Sequence, residues 1–302
     1  MTTSRAVACR CQVFFAALLV LSAGVRTALA EDAHRNGVVY LVGMGPGDPE
    51  LVTFKAAKVL KEADCVYCFE YLKDEVARYA PSEKITVASP LLMGRFRGES
   101  VKDLSPELRE RARLSEEEVA KFLPHVRELV ASGKKVVFAD AGDPTLYCPW
   151  SWVTEDFADL EPQVIPGLSS FNAASAALRQ SVTKSGGAVL LSPGDNLGAP
   201  DEHGRLKTML VLFTHRAKFK ELLPQLQSRY PEDTPIAVVC EASYERQRVV
   251  FATLATIREE LGDKPLPNLY LMYVGDGLTL PTPTERASDG GQDARVQQSK
   301  PQ

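Results

Sequence analysis

Three short stretches of this chain place glycine, proline and small polar residues where a strand hands over to a helix. They are Tyr40-Leu-Val-Gly-Met-Gly-Pro-Gly-Asp-Pro-Glu50, Asp140-Ala-Gly-Asp-Pro-Thr-Leu-Tyr-Cys148 and Pro166-Gly-Leu-Ser-Ser170. Such turns present backbone N–H groups, and often a helix N-terminus, to an anionic part of a ligand, and glycine lets the ligand approach the backbone closely. A lone glycine turn also reads as a plain connection, but two Gly-Asp-Pro turns and a third small-residue turn are harder to dismiss. A different chemistry is offered by Gly94-Arg-Phe-Arg-Gly98, where Arg95 and Arg97 flanked by glycine suit anion binding. The competing reading is a solvated face, since Lys102, Arg109, Arg111 and Arg113 stand against Glu99, Asp103, Glu107 and Glu110. Cys65 and Cys68 form a Cys-x-x-Cys in a strand-like run, where residues three apart point to opposite faces. They read as small buried hydrophobes rather than a zinc or redox pair.

The elements that must carry these turns alternate. A strand is expected over 38–42, a helix over 51–63, a strand over 64–69, a short helix over 74–79 and a strand over 84–88. Ser115 and Glu118 have capping-box spacing, and Val119, Phe122, Leu123, Val126, Leu129 and Val130 then mark a helix that stops at Gly133. Strands over 135–139 and 163–165 and an alanine-rich helix over 171–178 follow. This β-α-β rhythm predicts a mostly parallel sheet, and the glycine turns leave the carboxyl ends of its strands, the edge where open α/β sheets bind ligands.

The composition turns small and polar over 181–187, which places a domain boundary there. A second α/β set reads as a strand over 188–191, a glycine-rich loop over 193–207, a strand over 209–213, a helix over 218–227 and strands over 235–240 and 269–274. The expected organisation is therefore two α/β domains, 31–182 and 183–280, with a disordered tail over 281–302.

The 302 residues are 45% apolar and 25% charged, which is ordinary globular composition. Formal charge is −4, and more negative without residues 1–30, which hold Arg5, Arg10 and Arg26 and no acid, so a general nucleic-acid binder is disfavoured. Those thirty residues read as a signal peptide: two arginines, an apolar run over 13–25, then Ala28-Leu-Ala30 before Glu31-Asp32. Export to a periplasmic or extracellular compartment is the expectation, and a cytoplasmic protein is the alternative if the start is wrongly extended. No second membrane-span candidate occurs, and the four remaining cysteines do not make a disulfide scaffold.

Several familiar sites are absent: no Gly-x-x-x-x-Gly-Lys-Ser/Thr, no Gly-x-Ser-x-Gly and no His-Glu-x-x-His. The first glycine turn also lacks the dinucleotide spacing, and Asp64 opens the second strand where a ribose-binding acid should close it. The set Val42-Gly-Met-Gly-Pro-Gly-Asp-Pro-Glu-Leu-Val-Thr53, Ala63-Asp64, Gly142-Asp-Pro-Thr-Leu-Tyr147, Pro166-Gly-Leu-Ser-Ser170, Thr234-Pro-Ile-Ala-Val-Val239 and Glu245-Arg-Gln-Arg-Val-Val250 resembles the S-adenosylmethionine-dependent tetrapyrrole (corrin/porphyrin) methylases. The Gly-Asp-Pro-x-x-Tyr form without a following glycine, and the long segment before residue 115, look most like the precorrin-2 methyltransferase branch.

The resemblance implies an S-adenosylmethionine-dependent C-methyltransferase of a precorrin or cobalt-precorrin, with the cofactor folded in a cleft between the two domains. It implies cofactor contacts at Pro46, Gly142, Asp143, Leu146, Ser169, Ser170, Thr214 and Ala242, and it implies a homodimer. An electron-rich ring carbon is then the nucleophile, and the many carboxylates of such a substrate are assigned to Arg95, Arg97 and Arg216. The position matching the aspartate implicated in uroporphyrinogen methylases is Phe69, a departure that argues against that reaction and leaves the adjacent Glu70 as the candidate base. An exported methylase lacks a supply of a cofactor made in the cytoplasm. The alternative is an exported, non-catalytic protein that keeps the fold and binds a tetrapyrrole or another small ligand.

Overall fold

The structure, a computed structural model, describes residues 37–93, 105–183, 187–214, 218–263 and 265–282. The first sheet takes β1 (Val38–Gly43), β2 (Cys65–Cys68), β3 (Ile85–Val87), β4 (Lys135–Asp140) and β5 (Gln163–Ile165) in the order β3-β2-β4-β1-β5, with every pairing parallel. Its two long central strands, β1 and β4, are apolar along most of their length because both faces of a parallel sheet are covered. From β1 the chain crosses to β2 on one side, and from β4 it crosses to β5 on the other, so the direction of winding reverses between β1 and β4. The turns leaving that reversal are the two Gly-Asp-Pro turns.

Helix α1 (Phe54–Glu62) starts later than expected because Leu51 belongs to a short 3-10 turn, Pro49–Leu51, capped by Asp48. The predicted helix over 74–79 is a single turn, Lys73–Val76. Helix α2 (Pro106–Ala131) corrects a boundary: its N-cap is Ser105, whose Oγ accepts from Leu108 N at 3.3 Å, with Pro106 opening the first turn. Ser115 lies inside the helix, buried, and its Oγ donates to Leu91 O at 2.7 Å. The extra turns have no apolar stripe to reveal them; Arg113 instead pairs with Glu110 at 2.7 Å and with Glu117 one turn further on. Cys65, Cys68, Cys148 and Cys240 are free thiols.

The second sheet takes β6 (Val189–Ser192), β7 (Met209–Phe213), β8 (Pro235–Cys240), β9 (Arg248–Thr253) and β10 (Tyr270–Val274) in the order β6-β7-β10-β8-β9. Strand β6 is parallel to β7, whereas β10 runs antiparallel to both β7 and β8, and β9 antiparallel to β8. Strand β9 was not expected: as an edge strand it is half-buried along most of its length, so it lacks clear alternation. Helices α3 (Ser170–Ala177) and α4 (Phe219–Arg229) complete the set of longer helices.

The compact units are not contiguous in sequence. Of the described residues, one takes those of 37–43, 54–140 and 148–166; the other takes 44–53, 141–147 and those from Gly167 onward. These units divide the chain elsewhere than the expected boundary near 183, with 167–182 and the two Gly-Asp-Pro turns grouped with the second sheet. The reason is burial: Ala174 and Leu178 share an apolar cluster with Val211 and Tyr273, and Ser175 Oγ lies 3.0 Å from Tyr273 Oη, so α3 belongs with the second sheet. Among the described residues no helix is long and apolar enough to cross a membrane, and no cluster of His, Cys, Asp and Glu is arranged to hold a metal.

Candidate cofactor site

All eight positions that the resemblance assigns to the cofactor fall in the second unit. The turn after β1 and the turn after β4 are joined directly: Gly45 N donates to Gly142 O at 3.2 Å and Gly142 N to Gly45 O at 2.7 Å. Both glycines have left-handed backbone, φ +76° and +71°, which side-chain-bearing residues adopt at a cost. A Cβ on Gly45 would sit 2.9 Å from Leu51 O. The first turn is anchored again where Asp48 N donates to Ser243 Oγ at 3.2 Å, and Gly47 lies under the Tyr244 ring so closely that a Cβ would be 2.3 Å from it.

The second turn holds its own shape. Asp143 Oδ1 accepts from Thr145 N at 2.7 Å and from Thr145 Oγ1 at 2.5 Å, and Leu146 N donates to Asp143 O at 3.1 Å. One carboxylate oxygen of Asp143 is thus committed to the turn. Tyr147 has φ +56° and sets its ring edge-on to Phe213 at 4.9 Å. Behind Gly142 the nearest atoms to a notional Cβ are Ser170 N at 3.8 Å and Ser169 Cα at 3.9 Å, so the third turn lies against the second.

Ser169 is the N-cap of α3; its Oγ accepts from Phe171 N at 3.2 Å, and Asn172 Oδ1 accepts from Ser169 N at 3.1 Å. Thr214, at the end of β7, is buried and its Oγ1 donates to Tyr270 O at 2.6 Å, which leaves backbone groups as what this residue offers a ligand. Ala242 follows β8 between Glu241 (φ 47°) and Ser243 (φ 72°). Left-handed backbone at Tyr147, Glu241 and Ser243 is concentrated on the turns of this site, where strain is held in place by the surroundings. Among the described residues of these turns the one cation is Arg246, whose Nε donates to Glu241 Oε1 at 2.5 Å and whose guanidinium lies over the Tyr244 ring. Ser243 and Tyr244 had no signal in the sequence, because their partners Asp48 and Gly47 lie nearly two hundred residues away.

Arg95, Arg97 and Arg216 lie outside the described residues. Glu70 is exposed, in the 3-10 turn Glu70–Leu72 after β2. Phe69 is buried and stacked on Trp150 at 4.3 Å, so its position supplies no base.

A precorrin-4 C(11)-methyltransferase of Mycobacterium tuberculosis is 28% identical over 260 residues, spanning 80% of this chain and 91% of that protein. A cobalt-precorrin-4 methyltransferase structure has a TM-score of 0.58 at 22% identity, covering 80% of this chain and 96% of its own. The uroporphyrin-III C-methyltransferase of Thermus thermophilus, solved with S-adenosylhomocysteine, has a TM-score of 0.57 at 23% identity, covering 83% and 100%. At those identities the two structures speak to the fold alone. The tetrapyrrole (corrin/porphyrin) methylase model matches residues 38–258, most of the chain and every turn of the site, and the chain belongs to that family.

Proposed function

We propose that this chain is an S-adenosylmethionine-dependent C-methyltransferase acting on a corrin-pathway tetrapyrrole of the precorrin-4 or cobalt-precorrin-4 type. The observation that carries the reading is the reciprocal Gly45–Gly142 bridge, which joins two of the turns proposed to hold the cofactor although they lie almost a hundred residues apart, within a chain whose residues 38–258 match the family. The substrate type rests on the M. tuberculosis relative, and it replaces the precorrin-2 branch suggested by the Gly-Asp-Pro-x-x-Tyr motif. The non-catalytic alternative is disfavoured, because the match to a methyltransferase runs over four-fifths of the chain.

The residues present suit this cofactor. Backbone N–H and C=O groups of the glycine turns and the small side chains Ser169, Ser170 and Ala242 suit an adenine and a carboxylate, and among the described residues of these turns the one cation, Arg246, is paired with Glu241. When bound, S-adenosylmethionine supplies a methyl group made electrophilic by its sulfonium. The chain's part is to hold donor and acceptor in line and keep water out, which supplies much of the acceleration of a displacement.

No activated serine or cysteine is required, since the nucleophile is a ring carbon. That agrees with thiols that are poor nucleophiles: burial pushes Cys68 up to about 11 and also raises Cys240. Arg95, Arg97 and Arg216 are proposed to meet substrate carboxylates. A homodimer is proposed on the resemblance; residues 1–30 are leader-like and favour export, whereas the cytoplasmic alternative is the one that gives a methylase its cofactor.

Incubating the purified chain with methyl-labelled S-adenosylmethionine and cobalt-precorrin-4 tests the reading. Mass spectrometry is expected to find one labelled methyl group on the macrocycle. No transfer, together with no S-adenosylhomocysteine binding by calorimetry, sinks it.

A further inference from the structure

Carbon methylation leaves a proton to be removed. The new carbon–carbon bond takes its electron pair from the π system of the ring, the pair of the broken sulfur–carbon bond stays on sulfur, and the ring regains neutrality by losing a proton. Phe69, which follows β2, is buried and stacked on Trp150 at 4.3 Å, so that position supplies no base and the proton acceptor lies elsewhere.

One buried carboxylate stands at the right edge. Asp140 ends β4, is 3% exposed, and precedes Gly142 by two residues, which an extended chain spans in about 7 Å. Strand β2 pairs with β4 through Tyr67 and Phe138, so its carboxyl end and the residues just after it lie at the same edge of the sheet. There Tyr71 Oη donates to Asp140 Oδ1 at 2.6 Å. The Tyr71 side chain is nevertheless 54% exposed, and its ring stacks on Phe69 at 6.2 Å, which in turn stacks on Trp150 at 4.3 Å. An open aromatic face thus ends in a phenol whose proton already points at a buried carboxylate. Burial of the hydroxyl, and then the Asp140 carboxylate beside it, raise the Tyr71 pKa, so the phenol keeps its proton until a partner replaces it. The other titratable groups acting on Tyr71 are the thiols Cys148 and Cys68, and Cys68 is held neutral by burial.

We propose that Tyr71 is the catalytic proton acceptor and Asp140 the positioning residue that receives its proton. As the ring proton moves to Tyr71 Oη, the phenol proton passes to Asp140 Oδ1, leaving a neutral tyrosine and a neutral acid. The exposed face of Tyr71 lies against the flat macrocycle. This rests on the methyl-transfer reading above.

Two measurements on the full chain test it. In single-turnover transfer to cobalt-precorrin-4, Tyr71→Phe and Asp140→Asn are expected to be slower by about 100-fold or more. KM and S-adenosylhomocysteine affinity are expected to stay within about twofold, and Asp140→Glu to recover part of the rate. Uroporphyrin III, a stable flat tetrapyrrole, serves as the binding probe by quenching of tryptophan fluorescence: Tyr71→Phe is expected to bind it as the wild type does, and Tyr71→Ala about tenfold more weakly. Transfer by wild type, Tyr71→Phe and Asp140→Asn at equal rates overturns the proton relay while leaving the methyl-transfer reading intact. Loss of cofactor affinity in Asp140→Asn without rescue by glutamate reduces the pair to a structural role and also overturns it. Absence of quenching in the wild type overturns the macrocycle-facing role of Tyr71. Absence of transfer by the wild type removes the methyl-transfer reading, and the relay falls with it.

Discussion

Replacing Gly45 by alanine separates the two reasons for glycine at the bridge between the Gly-Asp-Pro turns. Its φ of +76° costs an alanine about 1–2 kcal/mol as left-handed backbone. The added Cβ also meets Leu51 O at 2.9 Å, a backbone atom that cannot swing away, and overpacking of this kind costs about 1–3 kcal/mol. Together these make Gly45→Ala destabilising by about 3 kcal/mol. Gly204 is the natural control: its φ is +74°, but nothing lies within 4 Å of a Cβ there, so only the backbone cost remains. At about 2–4 °C per kcal/mol, scanning calorimetry should show Gly45→Ala melting roughly 6–12 °C below the wild type and Gly204→Ala only a few degrees below. Calorimetric titration with S-adenosylhomocysteine should show affinity at least about tenfold weaker for Gly45→Ala and unchanged for Gly204→Ala, since about 1.4 kcal/mol of lost turn geometry is a factor of ten. Equal melting temperatures for the two variants would refute the steric part of the reasoning. Unchanged affinity in Gly45→Ala would refute the assignment of this bridge to the cofactor site.

Three further outcomes are expected. Ser105→Ala should lower stability by about 1 kcal/mol through loss of the α2 cap, and Ser115→Ala by a similar amount through the unpaired Leu91 carbonyl; amide exchange should show protection starting at Arg109, ten residues before it would start in a helix capped at Ser115. Asp201 is held down to about 2 by the Lys207 ammonium and by backbone N–H groups of Arg205 and His203, so its folded pKa lies below the unfolded value of about 3.9. Its contribution is therefore present above pH ~4 and lost as pH falls toward ~2, and protection of the His203 and Arg205 amides should fall across that window in the wild type and be pH-independent in Asp201→Asn. Phe54 is 98% exposed, the most exposed large apolar side chain among the described residues; if the proposed homodimer covers it, Phe54→Asp should weaken the dimer about tenfold or more in sedimentation equilibrium, and an unchanged constant would place the interface elsewhere.

The sequence by itself determined the strands of both sheets, apart from the edge strand β9, and the glycine turns to which the resemblance assigns the cofactor. Long apolar runs such as Val38–Gly43 and Lys135–Asp140 report burial on both faces, and left-handed turns such as those at Gly45 and Gly142 demand glycine, so both leave local marks. Local marks also miss or mislead. The first turns of α2 have charge pairs in place of an apolar stripe, and Ser115 has cap spacing but spends its hydroxyl on Leu91. Asp143 reads as a ligand contact, yet one of its carboxylate oxygens is taken by Thr145. Only the tertiary structure decided that 167–182 and both Gly-Asp-Pro turns belong with the second sheet, that Tyr244 covers Gly47, and that Tyr71 meets Asp140 across sixty-nine residues of chain. Periodicity along a chain states which face of an element is buried. What covers that face is set by elements distant in sequence, and the pairing of a phenol with a carboxylate there leaves no trace in the spacing of either.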